Sequence, residues 1–184
     1  MLYMFCANGV EECEALITVD MLRRAGIDVT TVGVEGKTVR GAHGIDFIAD
    51  ALLCDITEND IKSSDGVILP GGAVGAQTLA DTPDVVRYTK ASLDNGKLVS
   101  AICAAPSVLG RYGMLKGKKA TCYPGFEGYL EECEYTGQSI TVCGNIITAK
   151  GMGCAIAFSG AMIRYFKGEE ISRKILGEIM YAGE

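Results

Sequence analysis

Cys103 has the sequence surroundings of a reactive cysteine. It directly follows the run from Lys97 to Ile102, which predicts a buried strand, and Pro106 stands where the next helix is expected to start. A thiol at such a strand-to-helix turn has the arrangement of a nucleophile elbow, in which small residues such as Ala104 permit a tight turn. The N–H groups at the start of a helix favour a thiolate. The alternative is that Cys103 is simply one buried cysteine among eight.

An acidic segment and a glycine pair follow two other predicted strands. Glu11 to Glu14 comes after the strand expected at Leu2 to Ala7, and Gly71-Gly72 follows a second short apolar run. Because parallel strands end at one edge of a sheet, these turns should converge near Cys103. We single out Glu14, because a carboxyl group beside a thiol in a dry cleft should have a raised pKa. It could then donate a hydrogen bond to a thiolate or a sulfinate.

Both segments also have plain structural interpretations. The glutamates Glu11, Glu12 and Glu14 can complement the dipole at the start of the first helix, as we expect for two of the three. Gly71 and Gly72 can equally form an ordinary turn before the next helix. The residue types alone leave these alternatives open.

The order of the predicted elements indicates an α/β fold. Strand-like apolar runs alternate with helical segments, as is typical of a parallel sheet covered by helices on both faces. A small hairpin is predicted within Lys37 to Ala49, and a second one joins Ser139 to Cys143 with Ile146 to Lys150. The acidic stretch from Asp55 to Asp60 is expected to be a connection. The whole chain, 1–184, is expected to form a single domain.

Composition and charge exclude several classes of function. The net charge is −6, and the basic residues form no cluster larger than Lys116, Lys118 and Lys119, so we expect no nucleic-acid partner. We expect neither a signal peptide nor a membrane-spanning segment. The eight cysteines include no C-x-x-C pair, which fits reduced thiols in the cytoplasm and argues against a metal site. No G-x-G-x-x-G or P-loop motif is present, so no nucleotide or flavin cofactor is expected.

Five segments along nearly the whole chain resemble the ThiJ/PfpI superfamily, specifically its DJ-1 branch. They are Gly9-Val10-Glu11-Glu12-Cys13-Glu14, Val19-Asp20-Met21-Leu22-Arg23-Arg24-Ala25-Gly26, Leu69-Pro70-Gly71-Gly72 with Gly75-Ala76-Gln77, Ala101-Ile102-Cys103-Ala104-Ala105-Pro106, and Thr148-Ala149-Lys150-Gly151-Met152-Gly153. The resemblance implies a flavodoxin-like, doubly wound parallel sheet sandwiched by helices, like that of class I glutamine amidotransferases. It also implies a homodimer.

The same resemblance implies roles for individual residues. Cys103 would be the nucleophile and Glu14 the carboxylic acid beside it. The N–H groups of Gly72 and Ala104 would form a pocket for an oxyanion or an oxidised sulfur, with Gly71 as an accessory residue. No cofactor is implied.

The sequence departs from its relatives at two positions. Tyr123 occupies the place of a histidine that many relatives carry near the cysteine, and Ala104 stands where PfpI-type peptidases have a histidine. Both departures argue against a peptidase. Tyr123 could supply a hydroxyl instead. His43, in the first predicted hairpin, is expected to have a surface or packing role, or else to reach the site of a neighbouring subunit.

Two functions remain in competition. In the first, the Cys103 thiolate attacks a reactive carbonyl such as methylglyoxal, or a glycated substrate, while Glu14 moves the proton in glyoxalase- or deglycase-like chemistry. In the second, Cys103 is oxidised to a sulfinate, and the protein acts as a sensor of oxidative stress or as a chaperone. Both functions use the same two residues.

Overall fold

The computed structural model describes residues 1–183. The strands are β1 Leu2–Cys6, β2 Val29–Gly33, β3 Thr38–Arg40, β4 Asp46–Ile48, β5 Ala51–Leu52, β6 Gly66–Leu69, β7 Leu98–Ile102, β8 Lys119–Ala120, β9 Glu134–Tyr135, β10 Ile140–Cys143 and β11 Ile146–Ala149. The α-helices are α1 Glu12–Arg24, α2 Glu58–Ser63, α3 Ala73–Asp81, α4 Pro83–Asp94, α5 Pro106–Arg111, α6 Ala155–Lys167 and α7 Glu169–Glu178.

A seven-stranded sheet organises the fold. Its strand order is β10-β11-β7-β6-β1-β2-β5, and every neighbouring pair is parallel except the β10–β11 hairpin. The sheet is therefore mixed, and the arrangement is flavodoxin-like. The order reverses direction at β1 and β6, and ligands of open α/β sheets bind outside the carboxyl ends of the strands at such a point.

Helices bury both faces of the sheet, which explains why the central strands are continuously apolar. In β1, Tyr3 and Phe5 belong to one core cluster, which also contains Leu79 of α3 and Val85 of α4. The intervening residues of β1 belong to a second cluster that includes Phe158 of α6. Within residues 1–183, no helix is both long and apolar enough to cross a membrane.

Most predicted elements are present, but the acidic stretch is a correction. Instead of a plain connection, it contains a short helix, α2, which Thr57 caps by accepting a hydrogen bond from the Asp60 N–H. The sequence pattern also misses α3, because a short segment rich in glycine and alanine has too few large apolar residues to show helical spacing. Both predicted hairpins are confirmed as antiparallel pairs, β3–β4 and β10–β11.

Candidate active site

Cys103 lies directly after β7 with a backbone conformation that L-residues rarely adopt. Its φ is +64°, in the left-handed region, which costs about 1–2 kcal/mol for a residue with a Cβ. Two hydrogen bonds hold the turn: the Cys103 N–H donates to the Ala149 carbonyl at 2.9 Å, and the Tyr123 N–H donates to the Cys103 carbonyl at 2.8 Å. The strained turn leaves the Cys103 side chain half-buried. This is the geometry expected of a nucleophile elbow.

Glu14, in the first turn of α1, is completely buried beside this cysteine. Its Oε2 accepts a hydrogen bond from the Gly71 N–H at 2.9 Å. Within residues 1–183, Oε1 has no hydrogen-bond partner of normal geometry. Burial raises the pKa of Glu14 to about 7, although interactions with the Cys103 thiol and the Gly71 N–H act in the opposite direction. Glu14 can therefore gain or lose a proton near neutral pH.

The Cys103 thiol responds to burial and to the same carboxyl group. Burial, followed by the negative charge of Glu14, raises the thiol pKa to about 12, whereas the N–H groups of Gly72 and Ala104 lower it. The start of the helix alone therefore does not lower the pKa of the thiol, because burial and the charge of Glu14 outweigh the two N–H groups. A protonated Glu14 removes the opposing charge and can donate toward the sulfur, so the two groups act as a coupled pair.

The close packing of this site requires glycine at positions 71 and 72. A Cβ on Gly71 would lie 2.5 Å from the Cys103 Cβ and closer still to the Glu14 carboxylate. Gly72 has φ +91°, and a Cβ there would lie 2.7 Å from the Glu11 backbone nitrogen. An ordinary turn does not require such close approach. The two glycines bring backbone N–H groups against the carboxyl group and the thiol.

A cavity of about 380 Å³ opens over Cys103. Its lining comprises two carboxyl groups, a thiol, a phenol, an imidazole and apolar or backbone surface: Glu11, Glu14, Ala42, His43, Gly72, Ala73, Cys103, Ala104, Tyr123, Phe126 and Met152. A larger groove of about 650 Å³ lies between β10, α6 and α7, but neither a thiol nor an imidazole is among its lining residues. The cavity thus contains all the sequence-predicted side chains of the site.

His43 is closer to the chemistry than its expected surface role implies. It lines the cavity of its own chain, and its Nδ1 lies 3.2 Å from Glu12 Oε2 and 3.4 Å from Glu11 Oε2. Glu12 Oε1 accepts the backbone N–H groups of His43 at 2.8 Å and Ile45 at 3.2 Å. Nothing in the sequence indicated that the Glu12 carboxylate accepts hydrogen bonds from the hairpin backbone.

Tyr123 is half-exposed and also lines this cavity. Its ring packs over Gly151, where an added Cβ would lie 3.1 Å from the tyrosine Cδ2. Phe126 and Met152 complete the apolar lining, and neither was identified from the sequence. The distance of both from Cys103 along the chain explains why spacing could not reveal them.

Comparisons with known proteins agree with this geometry. The model of the DJ-1/PfpI family matches residues 1–165. The chain belongs to the DJ-1/PfpI family. This family member is 38% identical to protein DJ-1 homolog B of Arabidopsis thaliana over 95% of its own length, although it spans only 40% of that relative. It is 30% identical to the glutathione-independent glyoxalase DJR-1.2 of Caenorhabditis elegans, covering 95% of this chain and 92% of the relative.

Solved structures extend the similarity to the fold of this DJ-1/PfpI protein. The oxidized DJ-1 of Toxoplasma gondii superposes with a TM-score of 0.93 at 32% identity, covering 99% of this chain and 98% of the other. Such a close superposition over nearly the full length of both chains shows that they share the same fold.

Proposed function

We propose that this chain is a cofactor-free enzyme of the glyoxalase or deglycase type that acts on small reactive carbonyls such as methylglyoxal. The observation that carries the proposal is the buried Glu14, with a pKa of about 7, beside the Cys103 thiol. An acid–base group is most effective when its pKa lies near the working pH. The cavity volume suits a small substrate, and the glyoxalase of C. elegans is a relative over nearly its full length.

The proposed reaction begins with addition of the thiol to the aldehyde carbon. As the S–C bond forms, Glu14 accepts the thiol proton and passes it to the aldehyde oxygen, while the N–H groups of Gly72 and Ala104 stabilise developing negative charge. Glu14 then removes the former aldehyde C–H as a proton and returns a proton to the adjacent carbon, while the hydroxyl proton of the hemithioacetal moves to the ketone oxygen. The product is a 2-hydroxyacyl thioester on Cys103. Water releases it as a hydroxy acid, so that methylglyoxal plus water gives lactate.

A redox role is the second candidate. The same two N–H groups face the sulfur and could donate hydrogen bonds to sulfinate oxygens, and the Toxoplasma relative was solved in an oxidized form. A protonated Glu14 would hold the sulfinate and hinder its further oxidation. In that case the protein would serve as an oxidative-stress sensor or a chaperone.

One experiment separates the two roles. Lactate production from methylglyoxal is measured for the wild type, Cys103→Ser and Glu14→Gln, and peptide masses are recorded after mild peroxide treatment. Lactate production that both substitutions abolish supports the enzyme. Negligible turnover together with selective addition of two oxygens at Cys103 would contradict the enzyme and favour the sensor.

We further propose that the chain forms a homodimer in the cytoplasm through α1 and the β3–β4 hairpin. Exposed apolar side chains cluster there: Leu16, Ile45 and Ile48 are 42%, 57% and 65% exposed. A pairing face covers such residues in an oligomer. Sedimentation analysis should show a dimer for the wild type and monomers for Ile48→Glu. A monomeric wild type, or a variant that stays dimeric, would contradict this interface.

A further inference from the structure

His43 is the only histidine of the chain and lies at the mouth of the Cys103 cavity. It projects from the loop between β3 and β4, and its side chain is 71% exposed. In the single chain, the ring is therefore open to solvent on one side and lines the cavity on the other. This position suits a group that accepts a proton from water rather than one that acts on the buried sulfur.

Glu12 fixes the orientation of this ring. Its carboxyl group is buried, and Oε2 lies 3.2 Å from His43 Nδ1. Burial alone would raise the pKa of Glu12, but hydrogen bonds from its own N–H and from the N–H groups of His43 and Ile45, together with the His43 ring, lower it to about 2. The Glu12 carboxylate can accept a hydrogen bond from Nδ1–H, which selects the tautomer whose Nε2 is available as a base.

The backbone at Gly41 leaves room for the contact between Glu12 and His43. A Cβ on Gly41 would overlap the Glu12 side chain, because it would lie only 2.2 Å from the carboxyl carbon. Glycine at this position lets the hairpin close over Glu12. The carboxylate is thus part of the hairpin support and is positioned before any substrate binds.

The other cavity groups do not supply a base for water. Glu14 is assigned to the proton transfers beside the sulfur, and Tyr123 offers a phenol hydroxyl that can donate a hydrogen bond. Among the residues that line the cavity, His43 supplies the one imidazole, and imidazole is the side chain most often used as a general base.

We propose that His43 is the general base for hydrolysis of the thioester on Cys103, with Glu12 as its positioning residue. This inference rests on the proposed glyoxalase-type function. Nε2 takes a proton from water as the water oxygen bonds to the acyl carbon, and the C–S bond then breaks. The sulfur recovers that proton from the imidazolium, so the products are one hydroxy acid and free Cys103.

The test is an acid-quenched time course with methylglyoxal, followed by intact-mass measurement and lactate assay. A hemithioacetal reverts when the protein is denatured, whereas a thioester survives acid and is cleaved by hydroxylamine. His43→Ala and His43→Gln should form a stable adduct on Cys103 in the first turnover and release lactate on the order of a hundredfold more slowly than the wild type. The wild type should show no accumulated adduct.

Glu12→Gln is the second variant. Its amide oxygen can still accept the two backbone N–H groups, but its NH₂ donates to Nδ1 and moves the ring proton to Nε2. It should therefore accumulate the same adduct although His43 is present. Arg40→Ala is the matched control, because Arg40 is in the same hairpin, forms an exposed ion pair with Asp46 at 3.1 Å and does not line the cavity.

The outcomes separate the inference from the function on which it rests. Wild-type lactate production with equally fast His43 variants, or slow variants without an adduct, overturns the role of His43 and leaves the enzyme intact. Adduct accumulation in Arg40→Ala as well also overturns it, because hairpin disturbance would then explain the effect. A wild type that makes neither adduct nor lactate overturns both proposals.

Discussion

Replacing Glu14 by glutamine should remove a loss of stability that the wild type undergoes as the pH rises. The carboxyl pKa is 4.5 without the fold and about 7 within it, because burial disfavours the charged form. The folded state therefore binds the proton more tightly than the unfolded state. This contribution to stability is complete below pH 4.5 and is lost as the pH rises to 7. The difference between the two pKa values corresponds to about 3 kcal/mol of unfolding free energy.

Glutamine has nearly the same shape as Glu14 but cannot ionise. The wild type should become less stable by about 3 kcal/mol through this group between about pH 5 and pH 8, whereas Glu14→Gln should not. The two proteins should be similar in stability near the acidic end. The variant should be the more stable protein at the alkaline end, even though it has lost a group that we assign to catalysis.

The assay is urea unfolding, followed by circular dichroism, across this pH range. Both proteins are compared in a Cys103→Ser background, which removes thiol oxidation and thiol titration. Glu131→Gln serves as a control, because it removes an exposed carboxylate of the same type. If the stability of Glu14→Gln followed that of its parent in parallel at every pH, the buried carboxyl group would not have a raised pKa, and its proposed acid–base role would lose its basis.

Three further predictions concern the backbone at Gly71 and Cys103 and the contacts of the Glu12 carboxylate. Gly71→Ala should destabilise the fold by about 1–3 kcal/mol and slow thiol labelling of Cys103, because the new methyl group collides with Glu14 and Cys103; thermal melts and labelling rates test this. Cys103→Gly should be more stable than Cys103→Ala by about 1 kcal/mol in urea unfolding, because glycine tolerates the φ of +64°. Glu12→Gln should lower stability near neutral pH, and this deficit should shrink in acid unfolding curves as the pH falls from 4.5 toward 2, where the wild-type carboxylate becomes protonated.

The sequence was sufficient to predict the parts of the site that depend on strand order. Cys103, Glu14 and Gly72 all follow strands, and parallel strands bring their carboxyl ends to one edge, so their convergence could be expected. The position of His43 could not be predicted in this way. It depends on how an antiparallel hairpin folds over α1, and the contact that fixes it is with Glu12, whose local pattern is that of an ordinary helix start.

Two helices, α2 and α3, could not be predicted for a different reason. The helix α3 has small residues where packing is close, so its apolar spacing is weak, although its N-cap residue Gly72 lies at the site. The helix α2 has a capping pattern at Thr57 and Asp60 but only one buried residue, Ile61. In both cases tertiary packing stabilises a segment whose own pattern is ambiguous.

The two glutamates of α1 show why identical residue types end with opposite roles. Both side chains are buried in the first turn of the same helix. Glu12 receives several N–H donors, which stabilise its charged form and lower its pKa to about 2, whereas Glu14 receives one backbone donor and lies beside a thiol, so burial prevails and its pKa rises to about 7. The first is therefore a fixed anion that can orient His43, and the second is a proton carrier for Cys103. Because the hairpin and the glycine turn supply these donors unequally, the division of roles is a property of the fold and not of the α1 sequence alone.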